Sequence, residues 1–474
     1  MNVRLFIEEQ ASMSSFVSRS VLIGSMTLLA AGSAAAQDWQ QYADPAEAGF
    51  SVAELEATRK YADSVRSGAV MVVHRGKVVA AWGDVTRKFR LHSVRKSLVS
   101  ALYGIAISRG KIDLDASLAQ IGINDRQLLT PAERSARIRH LLSATSGVYL
   151  PAAYAGSDQD AERPKRGAHA PGTYWFYNNW DFNVAGVVYE KLTDEDLYDS
   201  FLRRIARPIG MQDYAVTDGF KVLEPSGSMH PAHTFRMSTR DLARFGQLYL
   251  QGGRWNGREV VPASWVRTST SPIASTRPGQ GYGYMWWTYA ADTTAQRWPA
   301  ISRHDIYQAR GTGGQVMFVI PAEEMVIVMR GDTDNGRGVG GAASWSIADR
   351  IVSARKSQPV AAPRLVALTP TAFETQSPRP AEPRIVKIDR SQAAKLVGSY
   401  AMSEGATARV FQHEGRLFMF FPGRGEGELF ALSPTEFTLL VESGVTIRFD
   451  VRDGPASAVT VTMGNQTMRG TRSE

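Results

Sequence analysis

Cysteine is absent from the whole 474-residue chain. The absence excludes disulfide bonds, thiol nucleophiles, thiolate zinc sites and a lipidated cysteine. Histidine is scarce as well, with 8 residues. Its one close pair, His230 and His233, has Pro231 between its members, which spoils the helical spacing of a metal-binding pair. We therefore predict structural roles for these two histidines and expect neither a metal nor an organic cofactor.

Long apolar runs are also scarce. The run over residues 21–31 is shorter than the ~20 residues that a membrane span requires. Arg19 precedes this run and Ala34-Ala35-Ala36 follows it, an arrangement typical of a secretory signal peptide that is cleaved after the last of these alanines. We expect an exported protein, periplasmic or secreted, with no stable membrane span, whose translation starts at either Met1 or Met13.

A basic stripe is the third missing feature. The formal net charge is +8, but the lysines and arginines are scattered and often stand beside Asp or Glu. Because no nucleic-acid-reading motif accompanies them, nucleic acid is not expected as a partner. The hydrophobic content of 43% and the charged content of 21% are those of an ordinary globular protein. The length is sufficient for two domains or more.

The spacing of apolar residues predicts helices and strands along much of the chain. In chain order these are a helix over 53–66, strands over 69–73 and 78–82, a helix over 93–109, mainly helices and loops over 112–270, strands over 282–287, 316–320 and 325–329, and a helix over 343–355. Strands early and late, with helices between them, predict an α/β fold. Its antiparallel sheet would be closed by distant parts of the chain, flanked by helices and interrupted by a large helical insert.

A proline-rich stretch divides the chain. Six prolines lie between Pro359 and Pro383, which predicts an extended linker without regular structure. After it, short strand-like segments alternate with Gly, Asp and Asn turns, as in a small all-β barrel. The predicted parts are a signal peptide over 1–36, a first globular domain over 37–356, a linker over 357–388 and a β domain over 389–474.

The first candidate for chemistry is Ser93-x-x-Lys96 at the start of a predicted helix. Residues three apart share a helix face, so Lys96 can reach the Ser93 hydroxyl, and the helix dipole stabilises negative charge there. Burial beside another cation or a phenol lowers a lysine pKa and makes the amine a base. The pattern recurs at Ser353-x-x-Lys356 near a helix end, where a solvated helix face is the favoured interpretation. His92 adjoins Ser93, but helix neighbours point about 100° apart, so its predicted role is structural.

Two later segments carry residue types that would complete such a site. Tyr177-x-Asn179 lies in an aromatic-rich stretch. A tyrosine beside a lysine can act as a base for the serine and later protonate a leaving group, and the Asn179 amide can hold both a lysine and a substrate carbonyl. Arg310-Gly311-Thr312 begins a glycine-rich turn where substrate can approach the backbone and an outward N–H can bind an oxyanion. Taken alone, the Tyr177 segment is also typical of a packed loop, and the Gly311 segment is also typical of an ordinary turn. The order of the three motifs along the chain favours a serine nucleophile.

With these residues in this order, the chain resembles the serine β-lactamase and penicillin-binding protein superfamily. Within it, the chain is similar to the class C β-lactamase-like branch, which includes esterases, D-aminopeptidases and 6-aminohexanoate-dimer hydrolases. The resemblance covers about residues 45–355, and residues 110–115, 141–148 and 282–287 support it. It implies a β-lactamase/transpeptidase-like fold, and the C-terminal barrel resembles the lipocalin-like domain of some members.

The resemblance also implies residue roles. Ser93 is the acylated nucleophile, and Lys96 and Tyr177 are the proton-transfer pair. The backbone N–H groups of Ser93 and Thr312 would form an oxyanion hole. The implied substrate-binding residues are Asn179, Arg310, Gly311 and Thr312. Trp175, Trp180, Trp286 and Trp287 either line an aromatic pocket or belong to the core, which is the default for any one tryptophan.

One position departs from the family pattern. Ala309 stands where β-lactamases and DD-peptidases have the lysine of Lys-Thr-Gly, so it cannot hold a substrate carboxylate. Arg310 is the alternative cation for this role, although adjacent strand residues point to opposite faces. This favours a substrate without that carboxylate.

The expected function is that of an exported serine hydrolase acting on a small-molecule or short-peptide ester or amide. A penicillin-recognising peptidase or weak β-lactamase is the alternative within enzymes. A sensor that is acylated without turnover is the alternative outside them. The substrate, the preference for ester or amide, the role of the β domain and the oligomeric state stay open.

Overall fold

The computed structural model describes residues 38–156, 160–224, 227–379, 381–403, 405–422 and 425–473. The predicted signal peptide and the choice of start lie outside these residues. The α-helices are α1 (Val52–Ser64), α2 (Arg95–Ser108), α3 (Leu118–Ile121), α4 (Pro131–Arg134), α5 (Ile138–Leu142), α6 (Asn179–Thr193), α7 (Leu197–Phe201), α8 (Thr239–Leu250), α9 (Ala263–Ser269), α10 (Gly341–Ala354) and α11 (Arg390–Leu396). Within these ranges, no helix has both the length and the apolar character needed to cross a membrane.

The strands fall into a first group up to the proline-rich stretch and a second group after it. The first group is β1 (Gln40–Tyr42), β2 (Ser67–His74), β3 (Lys77–Gly83), β4 (Lys88–Arg90), β5 (Gly219–Glu224), β6 (Ser228–Ser238), β7 (Arg254–Trp255), β8 (Arg258–Glu259), β9 (Ala274–Arg277), β10 (Gln280–Tyr282), β11 (Trp287–Tyr289), β12 (Ile306–Gly311), β13 (Gln315–Ile320), β14 (Met325–Gly331) and β15 (Leu365–Ala367). The second group is β16 (Gly398–Met402), β17 (Thr407–His413), β18 (Arg416–Phe421), β19 (Gly425–Ala431), β20 (Glu436–Leu439), β21 (Val445–Asp450), β22 (Ala458–Met463) and β23 (Gln466–Arg472).

A ten-stranded sheet in the order β15-β1-β3-β2-β14-β13-β12-β11-β10-β9 supports the first domain. The early strand β2 pairs antiparallel with the late strand β14, so distant parts of the chain close the sheet, as predicted. Only the short contact of β1 with β3 is parallel among the described pairings of this sheet. Strands β2, β13 and β14 are buried along their whole length, which explains why they are continuous apolar runs rather than alternating ones.

The aromatic segment predicted as one strand over 282–287 is two strands joined by a tight turn. Strand β10 ends at Tyr282 and β11 begins at Trp287. Between them, the Gly283 N–H donates to the Trp286 carbonyl at 2.8 Å, and Met285 takes a left-handed φ of +65°. The regular spacing of large residues therefore predicted one continuous strand. The change of chain direction depends on the backbone conformation at Met285, which the spacing does not reveal.

The hairpin β5–β6 lies inside the section predicted as helices and loops. Strand β6 is 11 residues long and buried at almost every position, so it lacks the alternation that marks a half-buried strand. Pro231 within it also argues against a strand, because proline removes a ladder donor. These two features account for the missed prediction.

The proline-rich stretch is extended but not devoid of regular structure, which corrects the prediction. Strand β15 pairs antiparallel with β1 at the sheet edge, and Thr371 forms a β-bridge with Trp82. Phe373 is only 4% exposed and belongs to the core of the first domain. Prolines are compatible with this position because an edge strand leaves one side unpaired.

Strands β16 to β23 close an antiparallel barrel in which β18 pairs with both β17 and β19. The predicted all-β barrel is thus confirmed. Strand β19 also pairs with β5 of the first domain. Buried Lys221 on β5 lies 2.7 Å from the Glu190 carboxylate of α6 and 2.6 Å from Glu414 of the barrel. Continuous strand pairing and a shared ion-pair cluster join the barrel to the first domain.

Candidate active site

Ser93 lies in a 3-10 turn, His92–Val94, that leads directly into α2. Every residue of α2 from Arg95 to Ala106 is buried. The helix is therefore packed on all of its faces, and this packing fixes the position of the turn that precedes it. His92 takes a φ of +47°, a left-handed conformation that a non-glycine residue adopts at a cost of about 1–3 kcal/mol. Such strain at the residue before a candidate nucleophile is typical of a functional site.

Lys96 lies on the first turn of α2 and is directed at Ser93. Its Nζ donates to Ser93 Oγ at 2.7 Å and to the Tyr177 hydroxyl at 2.8 Å. The side chain is 2% exposed, and Nζ lies 4.6 Å from the centre of the Phe182 ring. Burial, assisted by the neighbouring Arg95 cation, holds the pKa of Lys96 well below its usual range. A neutral amine in this position can accept a proton.

Tyr177 reaches the same point from the segment that precedes α6. Burial raises the pKa of Tyr177, while the Ser93 hydroxyl and the Arg95 and Arg310 cations oppose that shift. The raised pKa of Tyr177 keeps the phenol protonated, and the lowered pKa of Lys96 favours the neutral form of its amine. This pair of protonation states is suited to passing a proton from one group to the other.

Asn179, the first residue of α6, is positioned by a backbone contact. Its Nδ2 donates to the Tyr154 carbonyl, and its Oδ1 is buried without a hydrogen-bond partner among the described residues. A buried amide oxygen without a partner is costly. A substrate N–H would satisfy it, so the predicted substrate-binding role remains a prediction with a free acceptor to support it.

Tyr154 is a residue that no sequence pattern selected. Its φ is +61°, and its hydroxyl lies at hydrogen-bond distance, 2.9 Å, from His92 Nδ1. His92 Nε2 lies 2.9 Å from the Thr333 hydroxyl. Burial, with the Arg90 cation, lowers the pKa of His92 to about 4, so the ring is neutral near pH 7. Held from both sides, His92 positions the turn that carries the nucleophile.

Arg310 lies beside the aromatic rings of the site, so strand alternation does not turn this cation away from it. Its guanidinium carbon lies 4.4 Å from the Trp287 ring centre, and Trp287 stacks on Tyr177 with centres 5.4 Å apart. Ala309 is 1% exposed and belongs to the core. Alternation does hold, but Ala309 is the residue turned away, and the site keeps a cation.

Gly311 lies against the nucleophile turn. A Cβ at this position would lie 2.9 Å from Ser93 N and 2.6 Å from the Leu91 carbonyl oxygen, closer than side chains tolerate. Only glycine lets the end of β12 approach so near. Thr312 follows Gly311 in the chain and is exposed. The backbone of the glycine-rich turn therefore begins beside Ser93.

The four candidate tryptophans divide into two pairs. Trp175 and Trp287 surround Tyr177, with ring centres 6.4 and 5.4 Å from it. Trp180 is fully buried and donates to Asp125 at 2.7 Å. Trp286 is fully buried against the aromatic rings of α8. The first pair forms an aromatic wall, and the second pair is core.

Arg95 and Phe182 are two further residues that sequence reasoning did not assign. Arg95 is buried and donates to Asn183 Oδ1 at 3.2 Å, which fixes a cation beside Lys96. A signal was available for both: Arg95 directly precedes the lysine, and Phe182 follows Asn179 at helical spacing. Neither spacing reveals how deeply the two side chains are buried.

Metal ligation has no candidate within the part of the chain that the structure describes, since no three His, Asp or Glu side chains are suitably grouped there. His230 Nε2 lies 2.7 Å from the Asn124 carbonyl oxygen. His233 Nε2 lies 3.1 Å from the Glu190 carboxylate. Both histidines occupy β6 with partners of their own.

The site brings a serine at a helix start together with a tyrosine and a buried lysine whose pKa is lowered, on a sheet closed by distant parts of the chain. This fold and this cluster define the β-lactamase/transpeptidase-like class. The sequence model of the Beta-lactamase family matches residues 52–348, well over half of the chain. The chain therefore belongs to the beta-lactamase family.

Three proteins that are similar to this chain differ in their identity and coverage. An uncharacterized protein of Alkalihalophilus pseudofirmus is 21% identical over 304 residues, which are 55% of this chain and 83% of that protein. Esterase EstB of Burkholderia gladioli is 30% identical over 166 residues, 31% of this chain and only 41% of the esterase. The octameric penicillin-binding protein homologue from Pyrococcus abyssi has a TM-score of 0.48 and 16% identity, with 89% of this chain and 100% of that chain covered.

Proposed function

We propose that this protein is a serine hydrolase that cleaves an ester or amide through an acyl-enzyme on Ser93. The observation that carries the proposal is the position of Lys96 Nζ, 2.7 Å from Ser93 Oγ and 2.8 Å from the Tyr177 hydroxyl. Membership of the beta-lactamase family and the name of the relative EstB support hydrolysis in general.

Acylation begins with the neutral amine. Lys96 takes the proton of Ser93 Oγ as that oxygen attacks the substrate carbonyl carbon, which gives a tetrahedral oxyanion and a protonated lysine. When the oxyanion collapses, the bond to the leaving group breaks and the leaving group takes the proton of Tyr177. The lysine then returns its extra proton to the tyrosine, and both groups regain their starting states.

Deacylation repeats these transfers with water as the nucleophile. Water gives one proton to the Lys96–Tyr177 pair and bonds to the acyl carbon, and Ser93 leaves with a proton from the same pair. The sum is one ester or amide and one water converted to a carboxylic acid and an alcohol or amine. The Ser93 and Thr312 N–H groups are proposed to hold the oxyanion, since Gly311 brings this backbone beside the serine.

The alternative within enzymes is a penicillin-recognising peptidase or weak β-lactamase. Arg310 supports it, because its cation lies on the Trp287 ring beside Tyr177 and can attract a substrate carboxylate. Arg310 is exposed, however, and an exposed ion pair contributes only about 0–1 kcal/mol. Neutral esters and amides therefore stay the preferred class. The signal-peptide pattern further leads us to propose a periplasmic or secreted location.

A substrate panel tests the proposal. The protein would be assayed with p-nitrophenyl esters, D- and L-amino-acid p-nitroanilides and a chromogenic cephalosporin, with Ser93→Ala as the inactive control. We expect neutral esters or amides to be turned over better than the cephalosporin. Efficient cephalosporin hydrolysis with poor ester hydrolysis would reverse this ranking. One equivalent of acylation without further product would instead identify the sensor.

A further inference from the structure

A cavity of about 560 Å³ lies where the barrel meets the first domain. Small-molecule sites measure roughly 300–1,000 Å³, so the cavity has the volume of a ligand site. Most of its barrel lining is apolar, and the aliphatic members are Met419, Leu439, Val445, Ile447, Val461 and Met463. Methionine adapts its shape to flexible ligands.

The barrel wall opens at this point because its strands change partners. Strand β19 pairs with β18 over residues 425–428 and with β20 only over residues 429–431. Where β20 is absent, Glu426 and Gly427 of β19 pair instead with β5 of the first domain. Gly427 adds no side chain to the lining, and a Cβ there would come 3.0 Å from Leu439. The cavity is therefore lined by residues of both the barrel and the first domain.

The opening adjoins the catalytic cluster. Tyr154 lines the cavity. Its hydroxyl lies 2.9 Å from His92 Nδ1, and its backbone carbonyl accepts a hydrogen bond from Asn179. His92 directly precedes Ser93 in the chain. Tyr154 and His92 thus link the lining of the cavity to the turn that carries the nucleophile.

The polar groups at the opening disfavour an anionic ligand. Glu224 and Glu426 both line the cavity. Arg90 also lines the cavity, but its guanidinium already donates to Asp334 at 2.8 Å, to the Val441 carbonyl at 2.6 Å and to the Thr333 carbonyl at 3.1 Å. The carboxylates at the rim would repel the carboxylate of a free fatty acid. They would not repel the uncharged acyl chain of an ester or amide, so such a chain suits this cavity better.

We infer that this cavity binds the apolar acyl chain of the substrate whose carbonyl Ser93 attacks, which makes medium-chain acyl esters or amides the substrate class. The inference rests on the proposed function. In this arrangement Tyr154 lies between the substrate carbonyl at Ser93 and the end of the acyl chain in the barrel. Transfer of each methylene from water contributes roughly 0.8 kcal/mol, a factor of about four in kcat/KM.

The test is the dependence of kcat/KM on acyl length, from p-nitrophenyl acetate to the dodecanoate. In the unmodified protein we expect a rise of up to fourfold per methylene and then a plateau where the cavity is full. Met463→Trp fills the lining and should lower activity on the long esters while leaving the acetate unchanged. Its matched control is Thr462→Trp, a half-buried neighbour on β22 that does not line the cavity.

Val461→Ala is the second variant, and it enlarges the cavity, so the plateau should move to longer chains even if Met463→Trp is unstable. A flat length profile, or the same profile for both tryptophan variants, would overturn the inference while Ser93 hydrolysis of the acetate left the proposed function intact. Absence of ester turnover and of Ser93 acylation would remove the proposed function itself. Binding of decanoate to Ser93→Ala together with a flat profile would identify a separate lipid site and also overturn the inference.

Discussion

The Ser-x-x-Lys pattern recurs in this chain, and its copies at Ser93 and Ser353 lie in opposite surroundings. Lys96 is 2% exposed and its Nζ lies 2.7 Å from the Ser93 hydroxyl. The Lys356 side chain is 52% exposed and pairs with Glu54 at 2.8 Å. Its Nζ donates to the backbone carbonyl of Ser353, not to the hydroxyl. The same residue types at the same spacing thus produce a coupled pair in one place and a solvated ion pair in the other.

The difference comes from the position of each copy on its helix. Ser93 directly precedes the buried helix α2, where unpaired N–H groups stabilise developing negative charge. Ser353 lies on the last turn of α10, where the dipole has the opposite sign. Burial then lowers the pKa of Lys96, a change that depends on packing from α6 and on Arg95. Whether a Ser-x-x-Lys pair can act as nucleophile and base therefore depends on the burial and the helix position of the two residues.

The largest expected effect is the loss of the buried lysine. Lys96→Ala should lower kcat/KM by about 10²–10⁴-fold, because it removes the group that accepts the serine proton. Lys356→Ala removes an exposed lysine at the same spacing and should change kcat/KM by less than about twofold. Steady-state assays on both variants, with circular dichroism to verify folding, make the comparison. Equal losses in the two variants would contradict the assignment.

Tyr177 tests whether the first copy works as a unit. Tyr177→Phe keeps the ring and removes the hydroxyl, so we expect a loss of about 10²–10⁴-fold. The Lys96→Ala, Tyr177→Phe double variant should lose far less than the product of the single losses, since the two groups transfer the same proton. A double-mutant cycle on kcat/KM measures this coupling. If the loss in kcat/KM of the double variant equalled the product of the two single losses, the two side chains would act independently.

The burial of Lys96 also has a consequence for stability. Its pKa is lowered in the folded protein, so between that pKa and the ordinary value of 10.5 the unfolded chain binds one more proton. The unfolding free energy of the unmodified protein therefore rises with pH. Lys96→Met should gain about 0.5–2 kcal/mol near neutral pH, and the gain should grow towards acid and disappear above pH 10.5.

Denaturant unfolding at several pH values measures this gain. Lys356→Met is the matched control, and as an exposed replacement it should stay within about 0.5 kcal/mol of the unmodified protein. A Lys96→Met variant that is less stable than the unmodified protein at every pH would show that the buried amine does not carry the expected desolvation cost.

The smallest expected effect concerns Arg310. Because its cation stands on the aromatic wall but is exposed, Arg310→Ala should raise KM for carboxylate-bearing substrates by about two- to fivefold and leave neutral esters unchanged. Arg258→Ala, at an exposed arginine of the β7–β8 hairpin, is the control. If acidic and neutral substrates were affected equally, Arg310 would act on the structure of the wall and not on charge.

The parts of the site that sequence reasoning reached are those that depend on local spacing. The helix that starts after Ser93 and the reach of Lys96 to its hydroxyl follow from helical periodicity. The joining of β2 to β14 and the barrel followed from strand patterns and from the change of character after the prolines. The approach of Tyr177, 81 positions after Lys96, depended on the order of three motifs.

What sequence reasoning missed depends on packing between distant segments. The orientation of Arg310 is set by the register of β12 with β11, which pairs Trp287 with Gln308, and a motif does not carry that register. Tyr154 acquires its contact with His92 only in the folded chain. The hairpin β5–β6 is concealed because burial on both faces removes the polar alternation of a strand.

The most direct test of the central claim is the identification of the acylated residue. The protein would be treated with a fluorophosphonate probe, and its intact mass and proteolytic peptides would be measured beside those of Ser93→Ala and Ser353→Ala. We predict one adduct, on Ser93, that is lost in Ser93→Ala and retained in Ser353→Ala. An adduct on Ser353, or normal ester turnover by Ser93→Ala, would contradict the account.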